Sequence, residues 1–217
     1  MPKAKPVTRE PRLPELPDDL SPAVAWPRPE DDSLLEELAL SELNWAGLKA
    51  RRVNLELCRV SASDLSGASL ERAGLAQVSF EGSNLSGLSL EDSVLDVINL
   101  SGCRLTGLAF VKCRLSDLNL SQCDATLLRA WDCTLTRVRL QDVNLREASF
   151  TGSDLRGATF EACDLRGADL RGANLDGARL TNCRLTGAAF TPTALRGLVL
   201  DANGWLDLAG GFGVTVA

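Results

Sequence analysis

From Leu43 to Leu200 the hydrophobic positions of the chain recur every five residues. Of the thirty sites numbered 55, 60, 65 and onward to 200, Leu or Phe fills 27, the exceptions being Val60, Ala125 and Ala130. With such a site labelled i, a small or aliphatic residue stands at i−2, as in Ala68, Ala73, Val78 and Ser83. Between Leu43 and Leu200, 13 of 14 glycines fall at i+2, and Gly74 is the exception. The register never slips, so no loop interrupts the run. A helix repeats at 3.6 residues and a strand at 2, so period five fits neither. In an extended segment i−2 and i point to one side and i−1 and i+1 away from it. Because five is odd, each unit needs a turn to reset that parity, and glycine at i+2 suits the turn by tolerating positive φ. The pattern predicts a coiling chain with short straight sides, apolar inside and polar outside, each coil stacked on the next.

The i−2 residues indicate how many sides a coil has. Those with numbers ending in 8 are often large, as in Leu48, Val78, Leu88, Ile98, Leu108 and Leu118. Those ending in 3 are mostly small or cysteine, as in Ser63, Ala73, Ser83, Ser93, Cys103 and Cys113. The Phe residues at i all have numbers ending in 0: Phe80, Phe110, Phe150, Phe160 and Phe190. A four-sided coil of twenty residues keeps each class in its own stack, whereas a triangular coil mixes them. Eight such coils at about 4.8 Å give a rod of roughly 38 Å.

The flanks read differently. Eight of the nine prolines lie between Pro2 and Pro29, and residues 1–40 carry five basic against nine acidic side chains. Residues 1–32 therefore read as a disordered or loosely docked arm. Ser33-Leu34-Leu35-Glu36 matches a capping box and predicts a short helix over 34–40, within a capping segment 33–41. The repeat body is placed at 42–201. Residues 202–217 break the repeat, are apolar, and read as the cap that an open solenoid end needs.

Within the body the units read Ala158-Thr159-Phe160-Glu161-Ala162, Cys163-Asp164-Leu165-Arg166-Gly167, Ala168-Asp169-Leu170-Arg171-Gly172 and Ala173-Asn174-Leu175-Asp176-Gly177. A small residue, then Asp or Asn, then Leu or Phe, then two polar or small residues resembles the pentapeptide-repeat family, over residues 43–200. The resemblance implies an all-β fold, a right-handed quadrilateral β-helix. The closing Gly213-Val214-Thr215-Val216 resembles the ends of Qnr- and MfpA-type pentapeptide-repeat proteins. In those proteins the C-terminal segment carries a homodimer interface. They mimic duplex DNA, bind DNA gyrase or topoisomerase IV, and confer tolerance of quinolones or other gyrase poisons.

Composition narrows the chemistry. Histidine and tyrosine are absent, which removes a Ser-His-Asp triad, a Cys-His pair and a His-ligated metal. The net charge is −6, but residues 41–200 hold 18 acids and 18 bases, so the body is neutral. Direct nucleic-acid binding by bulk charge is disfavoured. Residues 54–100 lean acidic, with seven acids against Arg59 and Arg72, which keeps a partial DNA mimic at one end open. No apolar run reaches membrane-spanning length, no secretory leader is evident, and seven cysteines suit a reducing, cytoplasmic setting.

Four features compete for chemical roles. Cys58, Cys103, Cys113, Cys123, Cys133, Cys163 and Cys183 all occupy i−2. A metal or redox site is one reading; small buried hydrophobes interchangeable with Ala and Ser is the better one, since no C-x-x-C occurs. Asp64, Asp124, Asp154, Asp164 and Asp169 sit at i−1, where Asn84, Asn99, Asn119, Asn144 and Asn174 take the same role. Such repetition points to turn hydrogen bonding rather than catalysis, with Arg104–Asp124 and Asp164–Arg184 expected to pair across coils. Ala125 and Ala130 flaw the repeat, and either Leu127 and Leu128 refill the space or Trp131, at an outward i+1 site, marks a partner contact. Glu71, Glu81, Glu91 and Asp92 are the acidic candidates for the same contact. Finally, Trp205, Leu206, Leu208, Phe212, Val214 and Val216 give the tail enough apolar surface for a dimer interface. No cofactor, no metal and no enzymatic constellation is expected; a rigid rod that binds a protein is, with DNA gyrase or topoisomerase IV as the specific candidate and an unrelated target as the alternative.

Overall fold

A computed structural model of the chain describes residues 10–211. It is a parallel β-solenoid in which partners along every ladder through the repeat body lie twenty residues apart: Cys58 beside Val78, Leu70 beside Leu90, Leu120 beside Leu140. The coil is therefore four-sided. The inward sites fall into four columns of period twenty, beginning at Leu35, Leu40, Trp45 and Ala50. Each i residue from Leu35 to Phe190 is buried. So is each i−2 residue from Leu43 to Cys183. One uninterrupted core fills the rod.

The corners carry the turn that the five-residue parity demands. Among the described residues, all those of positive φ other than Ala25 stand at i+2, with φ between 45° and 76°. Glycine supplies many of them, but Arg52, Gln77, Val97, Asp117, Leu127 and Arg137 adopt the same left-handed conformation. Gly74, the one glycine out of phase, is explained by a close approach: a Cβ there would collide with Asn54 Oδ1.

Two expectations are corrected at the N-terminal side. The segment expected to be a helix forms two strands, Leu34–Glu36 and Leu38–Ser41, paired in parallel with Asn54–Ser61. The Ser33 hydroxyl donates to the Glu30 carbonyl at 2.7 Å rather than capping a helix. Leu35 and Leu40 already stand in the five-residue register, and the neighbouring ladder overrides the local capping signature. The solenoid thus begins at Leu34, not at residue 42. Ser21–Val24 adds a further parallel strand below it, Ala23 opposite Leu40. One face then carries ten strands in succession. At about 4.8 Å per step the rod is roughly 43 Å long, exceeding eight coils.

The arm is docked. Residues 10–20 run along one corner of the rod, with Arg12 bound to Asp117 and Asp96, the Glu15 amide to Gln77, and Glu10 beside Arg139. At the other end, a helix spans Ala202–Gly211. Asp201 caps its start, accepting from the Gly204 amide at 2.8 Å. Asp201 and Asp207 also accept the amides of Asn182 and Leu185, so the two tail carboxylates satisfy N–H groups of the last coil.

Candidate functional site

The outward residues form straight columns, and these decide which candidates meet. Glu71, Glu91, Val111 and Trp131 are successive members of one column, each the parallel-ladder register partner of the next. Asp92 follows at the adjoining corner. Glu81 does not join them. It lies in the other sheet, between Ser61 and Ser101, half a coil away on the opposite face. Along this column Arg51 binds Glu71 at 2.6 Å, holding its carboxyl below the usual range. Trp131 is 40% exposed. Its indole N–H donates to the Ser149 hydroxyl at 3.0 Å, and the Arg129 guanidinium lies 5.5 Å from its ring centre. The ring is thus fixed in place while presenting an apolar surface.

The repeat flaw resolves only in part as expected. Ala125, Ala130 and Leu128 are buried, but Leu127 is 47% exposed and refills nothing. It occupies a corner, where the i+2 side chain must point outward. Leu127 and Trp131 therefore both face solvent, one coil side apart.

The seven cysteines are free and buried. Each thiol donates to main-chain carbonyls, as Cys103 does to Phe80 and Ser101. Ser63, Ser83, Ser93 and Ser153 place hydroxyls at the same kind of site, and Ser153 donates to the Ala130 carbonyl at 2.8 Å. Sulfhydryl and hydroxyl are interchangeable there. Burial pushes the Cys58 thiol up, and the adjacent Cys103 sulfur together with burial does so for Cys123. Among the described residues no group of three or more His, Cys, Asp or Glu is placed to hold a metal ion.

The i−1 carboxylates cap their own turns. Asp64, Asp124, Asp154, Asp164 and Asp169 each accept the amide two residues on. Asn84, Asn144 and Asn174 do the same. The expected ion pairs Arg104–Asp124 and Asp164–Arg184 do not form. Asp164 is bound instead by Arg166, and Asp154 and Asp169 by Arg156 and Arg171. In each D-x-R unit the arginine reaches back to the carboxylate already anchored in its own turn. These arginines lower the carboxyl pKa values of Asp154, Asp164 and Asp169.

The most constrained carboxylate is one that sequence reasoning passed over. Asp117 is at a corner, yet its side chain is fully buried. Arg137 holds it with two hydrogen bonds of 2.6 and 2.7 Å from one side. The Arg12 amide and guanidinium hold it from the other, at 3.0 and 2.7 Å. Burial pushes its pKa up, but this hydrogen bonding to two arginines outweighs it and holds the group far below the carboxylate range. The only sequence signal was an acid at i+2 in the same column as Val97.

At the C-terminal end Trp205 and Leu206 are about half exposed. Leu208 is buried against its own chain and is removed from that set. Phe212, Val214 and Val216 lie outside the described residues.

These features define a class: a four-sided parallel β-solenoid that offers columns of side chains on flat faces. Hollows along it, such as that lined by Ser63, Asp64, Asn84 and Arg104, are open grooves. The chain belongs to the pentapeptide-repeat family. The family's pentapeptide repeat region profile matches residues 98–170, and its pentapeptide repeats profile, of eight copies, matches 54–96 and 163–197. Among solved structures it is similar to HetL, a pentapeptide repeat protein involved in heterocyst differentiation regulation from the cyanobacterium Nostoc sp. strain PCC 7120. The identity is 22% over 79% of this chain and 89% of HetL, with a TM-score of 0.48. It is also similar to full-length QnrB1, a plasmid-mediated fluoroquinolone resistance protein, at 20% identity over 84% of this chain and 100% of QnrB1, TM-score 0.40. No curated protein sequence matches. Among the described residues no helix is long and apolar enough to cross a membrane.

Proposed function

We propose that the chain is a non-catalytic protein-interaction rod whose contact face is the Glu71–Glu91–Val111–Trp131 column with Asp92. The observation that carries this reading is the alignment of two glutamates and a fixed, exposed tryptophan on one rigid ladder. A flat face with an aromatic anchor beside charged residues is the anatomy of a protein contact. The more specific reading is that this acidic end stands in for duplex DNA on DNA gyrase or topoisomerase IV. The acidic excess of residues 54–100 favours it, although Glu56, Asp64 and Glu81 lie on other columns. A gyrase supercoiling assay with and without a quinolone tests it. Full-length protein is expected to change the quinolone response, Glu91→Lys and Trp131→Ala to abolish that change, and Glu81→Lys to leave it. No effect on either topoisomerase rejects the mimic and leaves an adaptor for an unrelated protein.

The exposed Trp205 and Leu206 support a homodimer through the C-terminal ends. Light scattering of the full chain and of a Trp205→Ser/Leu206→Ser variant tests this, with a dimer expected for the former and a monomer for the latter.

A further inference from the structure

The docked arm has a repeat of its own. Pro11, Pro14 and Pro17 stand at every third position. All three are half-buried, as is Leu16, whereas Arg12, Leu13 and Glu15 are exposed. Three residues per turn is the period of the polyproline II helix, which rises about 9.3 Å in that turn. Two coils of the rod advance by nearly the same amount, about 9.6 Å. The arm uses this match. The Arg12 amide donates to the Asp117 side chain at 3.0 Å, and three residues later the Glu15 amide donates to the Gln77 side chain at 3.0 Å. Asp117 and Gln77 are forty residues apart in one corner column, which is two coils. The corner therefore works as a ruler. On two alternate coils it presents side-chain acceptors to two main-chain donors three residues apart in a proline-spaced segment.

The ruler also reads one side chain. The arm's guanidinium lies between Asp117 and Asp96, which stand on neighbouring coils. Arg137 fixes the Asp117 carboxylate from below, so the seat is built by the rod and only its upper partner is supplied by the arm. Beyond Arg12, the arm covers the rod only partly. No residue from 10 to 20 is buried, and Leu13 is 60% exposed.

We infer that this corner is a docking groove for a proline-rich segment of another protein, one that carries arginine directly after a proline and repeats proline every third residue. The chain's own arm is its resident occupant. The argument rests on the reading of the rod as an interaction module, but the groove lies at a different corner from the Glu91–Trp131 face. Charge complementarity and matched pitch choose this occupant: two carboxylates seat a guanidinium, as they now seat that of Arg12, and two alternate coils match a three-residue repeat.

A fluorescein-labelled peptide with the sequence of residues 10–20 tests the groove by anisotropy against the full-length chain. Wild type, with its arm seated at high effective concentration, is expected to bind weakly, and an Arg12→Ala variant at least about tenfold more tightly. Adding Asp117→Asn or Gln77→Leu to that variant should reverse the gain. Gln77 is partly exposed and its replacement leaves the core intact, so it decides the matter if Asp117→Asn fails to fold by circular dichroism. A peptide with Arg replaced by Ala, or with its prolines respaced to every second residue, should lose binding by about the same factor. Equal binding to wild type and Arg12→Ala, or indifference to proline spacing, overturns the proposal. So does a concentration-dependent oligomer of wild type that Arg12→Ala abolishes, because the occupant is then a second copy. A failed supercoiling assay with intact peptide binding rejects the gyrase reading alone.

Discussion

At the scale of single residues, the corners are where the sequence works against itself. A non-glycine residue in the left-handed region costs on the order of 1–2 kcal/mol, yet Leu127 sits there with φ of 60°. Its side chain is half exposed, so little burial opposes the strain. Replacing Leu127 with Gly should stabilise the rod by about 0.5–1 kcal/mol, after the extra unfolded-state entropy of glycine is subtracted. Urea unfolding checks this, and a lower midpoint contradicts it. The glycine phase made the turn legible in the sequence; that Arg, Gln and Val would make the same turn was not, because side-chain identity says nothing of φ when the neighbouring ladders impose it. Asp117 was missed for a related reason. An acid at an outward site reads as solvated, and only the arm, folded back from over a hundred residues away, buries it. Its depressed pKa has a definite sign. The stabilisation it gives is present above the ordinary aspartate pKa and is lost as pH falls through the lowered value. Acid titration of the unfolding free energy should therefore show a loss below about pH 4 that Asp117→Asn removes.

At the scale of the coil, every inward position is shared by three layers. Leu165 is completely buried between Leu145 and Leu185 of the same column. Leu165→Asp should cost more than about 4 kcal/mol and unfold the rod, since it deletes core volume and buries a carboxylate together. A melting curve like that of wild type would contradict the inward assignment of i. The cysteines occupy the companion site, and their thiols should react with a maleimide only when coils open or denaturant is added. Rapid labelling of several in the native protein contradicts that. Period and parity alone exposed this level of the fold, because each coil repeats the same demand. The segment 33–41 was misread because two sites, Leu35 and Leu40, are too few to establish a period, and a capping box is satisfied by sequence alone. The Asp–Arg relations were misassigned because linear spacing counts coil neighbours but not reach. An arginine two residues on meets an aspartate already anchored in its turn before one twenty residues away can.

At the scale of the whole molecule, the rod is electrically uneven. Its N-terminal coils carry the acidic excess, and the C-terminal coils hold D-x-R units in which carboxylate and guanidinium neutralise each other. A dimer joined at the Trp205 ends would place the two acidic segments at its extremities. Deleting residues 205–217 takes away Asp207 and with it the acceptor of the Leu185 amide, leaving an edge open to strand addition. The truncated chain should lose the dimer in light scattering and aggregate on storage. A stable dimer after that deletion would place the interface elsewhere.

The unbroken register fixes something that none of the individual hydrogen bonds specifies, namely the angular bearing of one end relative to the other. Twenty extra residues would lengthen the rod by one coil and leave every face where it was. Five extra residues between Gln77 and Asp117 would keep each inward site buried, yet turn everything beyond by a quarter revolution. With the insert just after Gln77, Asp117 would then look out from a neighbouring edge, and the arm would meet Lys112 in the place where Asp117 had stood. Drift by five residues would thus keep the order of buried and exposed sites but set large inward columns over small ones at the junction and re-aim the whole surface beyond it, so the bearing of the Asp117 edge is the quantity on which the proposed docking groove depends.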